Sequence, residues 1–128
     1  FIDKSFKERE SKERNKYLDE LNSIERKYSN KTSQWIAKQH FLQKKLADIC
    51  PSIEVFVDHI EYVINQIGID YVGIGSDYDG LDCLPHSWND CLDHMIIQES
   101  LEKRGYKYLE IEKIMGKNIL RVLEEIYN

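Results

Sequence analysis

Ile69-Asp70-Tyr71-Val72-Gly73-Ile74-Gly75-Ser76-Asp77-Tyr78-Asp79-Gly80 is the stretch on which the fold turns. Its middle, Tyr71 to Gly75, is a short charge-free run bounded by turn-forming residues, the pattern of a strand buried on both faces. Alternation along it sets Val72, Ile74 and Ser76 on one side and Tyr71, Gly73, Gly75 and Asp77 on the other. Just upstream, Ser52 caps a helix whose apolar positions are Ile53, Phe56, Val57, Ile60, Val63, Ile64 and Ile67. Gly68 stands where a left-handed C-terminal cap is wanted. A helix followed by a buried strand and another helix is the local grammar of a parallel α/β sheet. The sequence therefore predicts an α/β fold, mostly helical, with one clear strand at about 70–76. One strand cannot satisfy its own N–H and C=O groups, so its neighbours must come from another chain or from sequence not present here. The chain also opens on Phe1-Ile2-Asp3 without a methionine. Both features lead to the expectation of a fragment.

Working outward, residues 1–50 read as helix. Tyr17, Leu18, Leu21, Ile24 and Tyr28 recur at three- and four-residue steps on a highly charged rod. Ser29-Asn30-Lys31-Thr32 marks a break, with Thr32 or Ser33 as N-cap. A second stripe runs through Trp35, Ile36, Gln39, Leu42, Leu46 and Ile49, and Pro51 stops it. After an irregular loop from Tyr78 to Ser87, Ser87 or Asn89 caps a helix to about Arg104, ended by Gly105. Leu109–Met115 and Asn118–Ile126 form a last helical pair, interrupted at Gly116. No repeat or linker divides the chain.

The 128 residues carry 18 Lys+Arg and 23 Asp+Glu, a net charge of -5, with 2 Pro and 6 Gly. That composition excludes collagen, low-complexity disorder and a disulfide-dense miniprotein, and no run approaches the roughly 20 apolar residues of a membrane span. Residues 1–48 hold 12 basic and 8 acidic side chains, and the remainder 6 and 15. The basic front half interleaves both signs, as in Lys7-Glu8-Arg9-Glu10, which is the pattern of a solvated helix face and not of a nucleic-acid arm. The three cysteines, Cys50, Cys83 and Cys91, are odd in number and suggest no secreted disulfide framework.

Two places offer chemistry. Cys83-x-x-His86 followed by Cys91-x-x-His94 gathers four soft ligands, but the spacing matches neither paired Cys-x-x-Cys knuckles nor a C2H2 finger. Loop and core roles are the favoured reading there, and no metal ligand is assigned. His40 and His59 read as helix-flank residues; His86 follows Asp77 in the loop, within reach of a substrate role. Asp77 is the stronger candidate. In a (β/α)8 barrel the paired glycines leave space inward, and Asp77 stands at the C-terminal rim where catalytic residues sit. A carboxylate there suits proton transfer or metal chemistry. The plain alternative is that Asp77 and Asp79 only form a turn.

Asp58-His59-Ile60-Glu61-Tyr62-Val63 with Gly68 to Gly80 resembles the C-terminal part of the membrane dipeptidase (renal dipeptidase) family, peptidase family M19. Leu101-Glu102-Lys103-Arg104-Gly105-Tyr106 and Ile114-Met115-Gly116-Lys117-Asn118-Ile119-Leu120-Arg121-Val122-Leu123 agree with it. Phe1-Ile2-Asp3 looks like the segment after the family's seventh barrel strand, and residues 5–45 resemble a helical insertion of bacterial relatives. The resemblance implies a TIM-like metal-dependent hydrolase that cleaves dipeptides with two zinc ions, of which residues 1–128 are one portion. Residues 1–50 would be a charged helical layer, and 51–128 would supply a helix, the last strand, the catalytic loop and the C-terminal helices. It also implies that Asp77 is the catalytic proton acceptor. The family's metal ligands, a His-x-Asp, a bridging Glu and two later His, are all N-terminal to this segment, so the chain alone is expected to be inactive. Expected partners are a dipeptide and the rest of the barrel, with a homodimer left open and no nucleic acid. The compartment is also open, cytoplasmic or periplasmic for a bacterial protein. The alternatives are a related hydrolase acting on a non-peptide substrate, or a non-catalytic helical interaction module.

Overall fold

A computed structural model describes residues 5–78, 80–81, 83–88 and 90–127. The helices are α1 (Phe6–Asn15), α2 (Leu18–Lys27), α3 (Lys31–Leu46), α4 (Ile53–Ile67), α5 (Met95–Lys103), α6 (Tyr108–Glu112) and α7 (Asn118–Tyr127). Single 3-10 turns occupy Ala47–Ile49, Ile69–Tyr71 and Cys91–His94, and a π-helical turn, Lys113–Lys117, joins α6 to α7. The chain divides into two compact units, Phe1–Ser52 with Asp77–His86, and Ile53–Ser76 with Ser87–Asn128.

The first unit is built on the stripes that the sequence shows. Leu21 of α2, Leu42 and Leu46 of α3, and Cys50 form its buried cluster, with Phe41, Ile49 and Cys83 packed on it. Burial of each such leucine contributes on the order of 1.5–3 kcal/mol. Tyr17 meets Phe41 edge to face at 5.8 Å. The Lys45 ammonium lies 5.1 Å from the Tyr17 ring and 5.7 Å from that of Phe41, so its stem covers apolar surface while the charge faces π-density. α1 buries no residue. Its side chains pair along the helix, Lys12 with Glu8 at 2.9 Å and Arg14 with Glu10 at 3.0 Å, contacts worth a few tenths of a kcal/mol each. The break after α2 is closed by Asn30, whose side chain accepts from the Ser33 N–H at 2.7 Å. The expected caps, Thr32 and Ser33, lie inside the first turn of α3 instead.

In the second unit the buried apolar residues are Val57 and Ile60 of α4, Val72, Trp88, Ile97 and Leu101 of α5, Ile111 and Ile114, with Ser100 and Asn118 the buried polar ones among the described residues. α4 packs on α5, and α5 on α6. Trp88, 2% exposed, lies against Phe56 at 5.0 Å and His94 at 5.4 Å, both edge to face. Gly68 at φ 91 and Gly105 at φ 89 take the left-handed conformation, ending α4 and following α5 as the sequence predicts. Asp90, and not Ser87, caps the turn that leads into α5, accepting from the Leu92 N–H at 2.7 Å. Asn89, the other expected cap, lies outside the described residues.

The expected strand is absent, and the α/β reading is corrected: the described residues are helices, turns and irregular segments, with no strand among them. A (β/α)8 sheet is likewise not found among them. Ile69–Tyr71 wind into a 3-10 turn, and Tyr71 is 72% exposed. Val72 is extended (φ -111, ψ 133), but from there to Asp77 no ladder forms. A strand exists only through its neighbour's hydrogen bonds, and no other segment of this chain has a strand's pattern. Side chains take over that task. The Asn118 amide donates to Ile69 O at 2.7 Å and Val72 O at 2.8 Å. Arg121 donates to Asp70 O at 3.0 Å, and Lys113 pairs with the Asp70 carboxylate at 2.6 Å. The alternation itself survives: Val72 is buried, Ile74 and Ser76 half-buried, and Gly73, Gly75 and Asp77 exposed. Gly73 leaves room for Ile119, whose side-chain carbons would lie 3.0 Å from a Cβ placed there.

Two outcomes test this arrangement. Asn118→Ala removes both donors at once and should cost about 1–3 kcal/mol, since it strands two carbonyls. Urea unfolding should show a lowered midpoint at unchanged slope; an unaltered midpoint would show that Asn118 does not hold the turn. The second concerns Arg104, which donates to Glu54 Oε2 at 2.9 Å, Glu54 O at 3.0 Å, and Asp58 and Glu61 at 2.6 Å each. The Arg104 hydrogen bond, then that from Ser100, hold the Glu54 carboxyl below its ordinary 4.5. A depressed carboxyl stabilises the fold above its unfolded value and loses that contribution as pH falls through its folded one. The melting temperature should therefore drop below about pH 4.5, and Arg104→Met should make that drop shallower. Parallel pH profiles for the two proteins would argue against the network.

Candidate functional site

Asp77 is the first residue of the segment Asp77–His86 in the first unit. Its side chain is exposed, and its backbone is left-handed at φ 50. Outside glycine, that conformation is uncommon; aspartate and asparagine adopt it more readily than other residues. The chain then turns, with the Gly80 N–H donating to Asp77 O at 3.0 Å. The Asp77 carboxylate folds back over Gly80: a Cβ placed on Gly80 would lie 2.9 Å from Asp77 Cγ and closer still to Oδ1. A side chain on Gly80 would therefore displace the carboxylate from this position. Among the described residues nothing buries the Asp77 carboxylate, which leaves it open to solvent. Asp79, the second acid of the motif, lies outside the described residues.

The other candidates do not gather into a site. Cys83 is disulfide-bonded to Cys50, with Cα atoms 5.8 Å apart across 33 residues of sequence. Cys91 is a free, exposed thiol. His86 is exposed, and its backbone N–H donates to Pro51 O at 2.9 Å. His94 is half-buried against Trp88. His40 is exposed; His59, exposed on α4, stacks on Tyr62 at 6.4 Å. Among the described residues no group of three or more His, Cys, Asp or Glu side chains is placed to hold a metal ion. The described residues thus do not by themselves form a zinc centre. No helix among them is long and apolar enough to cross a membrane.

Sequence reasoning missed three features of the two units. Asn118 was visible only as part of a tail motif, although a polar residue at the first position of an amphipathic helix is a signal for backbone contacts. Arg104 reads as an ordinary last-turn cation, and its three acidic partners, Glu54, Asp58 and Glu61, lie at helical spacing on α4. The Cys50–Cys83 pairing carries no local signal, because partners distant in sequence cannot be matched from one chain.

The chain is similar to several dipeptidases. It is 37% identical over 75 residues to dipeptidase tcpJ of Claviceps purpurea, covering 59% of this chain and 18% of that protein. Dipeptidase ataJ of Aspergillus terreus is 43% identical over 70 residues, 55% of this chain and 17% of its own length. Dipeptidase 3 of Rattus norvegicus is 28% identical over 75 residues, 59% of this chain and 15% of its own. The chain thus spans about a fifth of the length of the curated relatives it matches. No solved structure matches it. The sequence profile of the membrane dipeptidases matches residues 15–128, which takes in α2 to α7 and the Asp77 turn. The chain belongs to the membrane dipeptidase family, peptidase family M19.

Proposed function

We propose that residues 1–128 are the C-terminal portion of a single domain of a metallodipeptidase, and that Asp77 is the residue of this portion that takes part in catalysis. The observation that carries the reading is the family match across residues 15–128, which includes the whole Asp77 turn. The exposed, left-handed Asp77 with Gly80 shaped around its carboxylate supports it. Asp77 accepts a proton from the attacking water and returns it to the departing amine, work that a positioned carboxylate accelerates by about 10²–10⁴-fold. Zinc belongs to the same reading, held by residues outside this chain.

Two experiments test the proposal. In the intact protein, Asp77→Asn should lower kcat on dipeptides by about 10²-fold or more, with zinc content and melting temperature unchanged. Wild-type turnover in that variant would remove Asp77 from catalysis. The 128-residue chain, incubated with zinc and a dipeptide panel, should show no turnover; hydrolysis at ordinary enzyme rates would overturn the view that it lacks part of the site. Running lactones and cyclic amides beside the dipeptides with the intact protein separates a peptidase from a hydrolase of another substrate class.

A further inference from the structure

The Asp77–His86 segment belongs to the first unit, although it is separated from the rest of that unit by 24 residues of the other, Ile53 to Ser76. Its ties to the rest of that unit include a disulfide, a hydrogen bond and apolar packing. The Cys50–Cys83 disulfide joins it to the residue that follows the 3-10 turn Ala47–Ile49. The His86 N–H donates to Pro51 O at 2.9 Å. Cys83 also packs on the cluster of Leu21, Leu42, Leu46 and Cys50. The sulfurs are not equivalent. Cys50 is 7% exposed, whereas Cys83 is half-buried and the more open to attack. The Cys50 sulfur lies 3.2 Å from Leu46 O. In the disulfide that sulfur has no proton to donate, so the contact is a hydrogen bond only once the bridge is opened. A reduced Cys50 then finds its acceptor already in place and is not left as an unsatisfied buried donor. Its three buried neighbours in the cluster are leucines of α2 and α3.

We propose that Cys50–Cys83 is a site of thiol–disulfide exchange with a dithiol reductant, and that its reduction releases the Asp77–His86 segment while leaving the helices α1 to α3 folded. One thiolate of the dithiol attacks the Cys83 sulfur, and the Cys50 sulfur departs with the bond's electron pair and takes up a proton. The second thiol of the reductant then attacks its own sulfur in the mixed disulfide. Cys83 leaves as a thiol, and the reductant is left as a disulfide, oxidised by two electrons. The release rests on contacts within the first unit and not on the catalytic reading of Asp77.

The test uses the full 128-residue chain, with and without dithiothreitol. Alkylation under denaturing conditions and mass spectrometry should find one reactive cysteine, Cys91, before reduction and three after it. Three before reduction would overturn the pairing. Amide hydrogen exchange should then speed up by about tenfold or more across residues 80–86 on reduction, with α2 and α3 unchanged. Unchanged exchange in that segment, or loss of protection throughout α2 and α3, would each overturn the proposal. The first would show that the bridge restrains nothing, and the second that it is a staple of the whole unit. Cys83→Ser should reproduce the reduced pattern without any reductant, and Cys91→Ser should respond to dithiothreitol as the parent chain does. The opposite result for either variant counts against the exchange site.

Discussion

Two backbone carbonyls, those of Ile69 and Val72, set the terms for the second unit. They lie where the chain passes from the 3-10 turn after α4 into an extended run, and no strand is present to take them. A buried carbonyl without a donor costs about as much as a lost hydrogen bond. The Asn118 side chain, 7% exposed, offers its two N–H groups to both. This fixes the first turn of α7 against the turn at 69–71, and Arg121 and Lys113 complete the hold through Asp70. Gly73 must then be glycine-sized where Ile119 approaches. A single amide thus determines where the extended run starts and which of its side chains are buried.

The first unit solves a different problem with fewer apolar residues. Its buried cluster is three leucines and a cysteine, and much of its length is charged helix. Side-chain amides and cations do the joining. Gln34 donates from one nitrogen to the carbonyls of Glu25 and Tyr28, both at 2.9 Å, closing the end of α2. Lys38 reaches back to Glu25 at 3.0 Å. Surface ion pairs of this kind contribute little each, so the α2–α3 pairing depends on Leu21, Leu42 and Leu46. A disulfide across a 33-residue separation ties the Asp77–His86 segment to that cluster.

Much of the helical content was legible because period and punctuation agree. Ile53 to Ile67 with Gly68 behind it, and Met95 to Lys103 with Gly105 behind it, follow from apolar spacing and a glycine that can take a positive φ. The strand was misread for a physical reason. Val72-Gly73-Ile74-Gly75 has the composition and alternation of a strand, and its burial does alternate, but pairing is a property of neighbours and not of the segment. The cap of α3 lies two or three residues earlier than expected, Asn30 for Thr32 or Ser33, because any short polar side chain near a helix start competes for the same N–H groups. Asp77 stands out as a candidate from its place in the motif. Its left-handed backbone and its fold over Gly80 were not legible, since both depend on the turn that follows.

The backbone around Asp77 is where the chain departs furthest from what propensity alone would choose. Among the described residues, the two non-glycine residues at positive φ are Asp77 (φ 50), which opens the segment Asp77–His86, and Ser87 (φ 69), which directly follows it. Left-handed geometry costs a residue with a Cβ roughly 1–2 kcal/mol, and a glycine at either place would avoid it. A glycine at 77 would also remove the carboxylate that Gly80 is shaped to receive. The unfavourable conformation and the small residue three positions later therefore serve one end: holding a carboxylate, exposed, at a set place on a tight turn. Stability alone gives no reason for that combination, and it is the observation that favours the proton-accepting role proposed for Asp77.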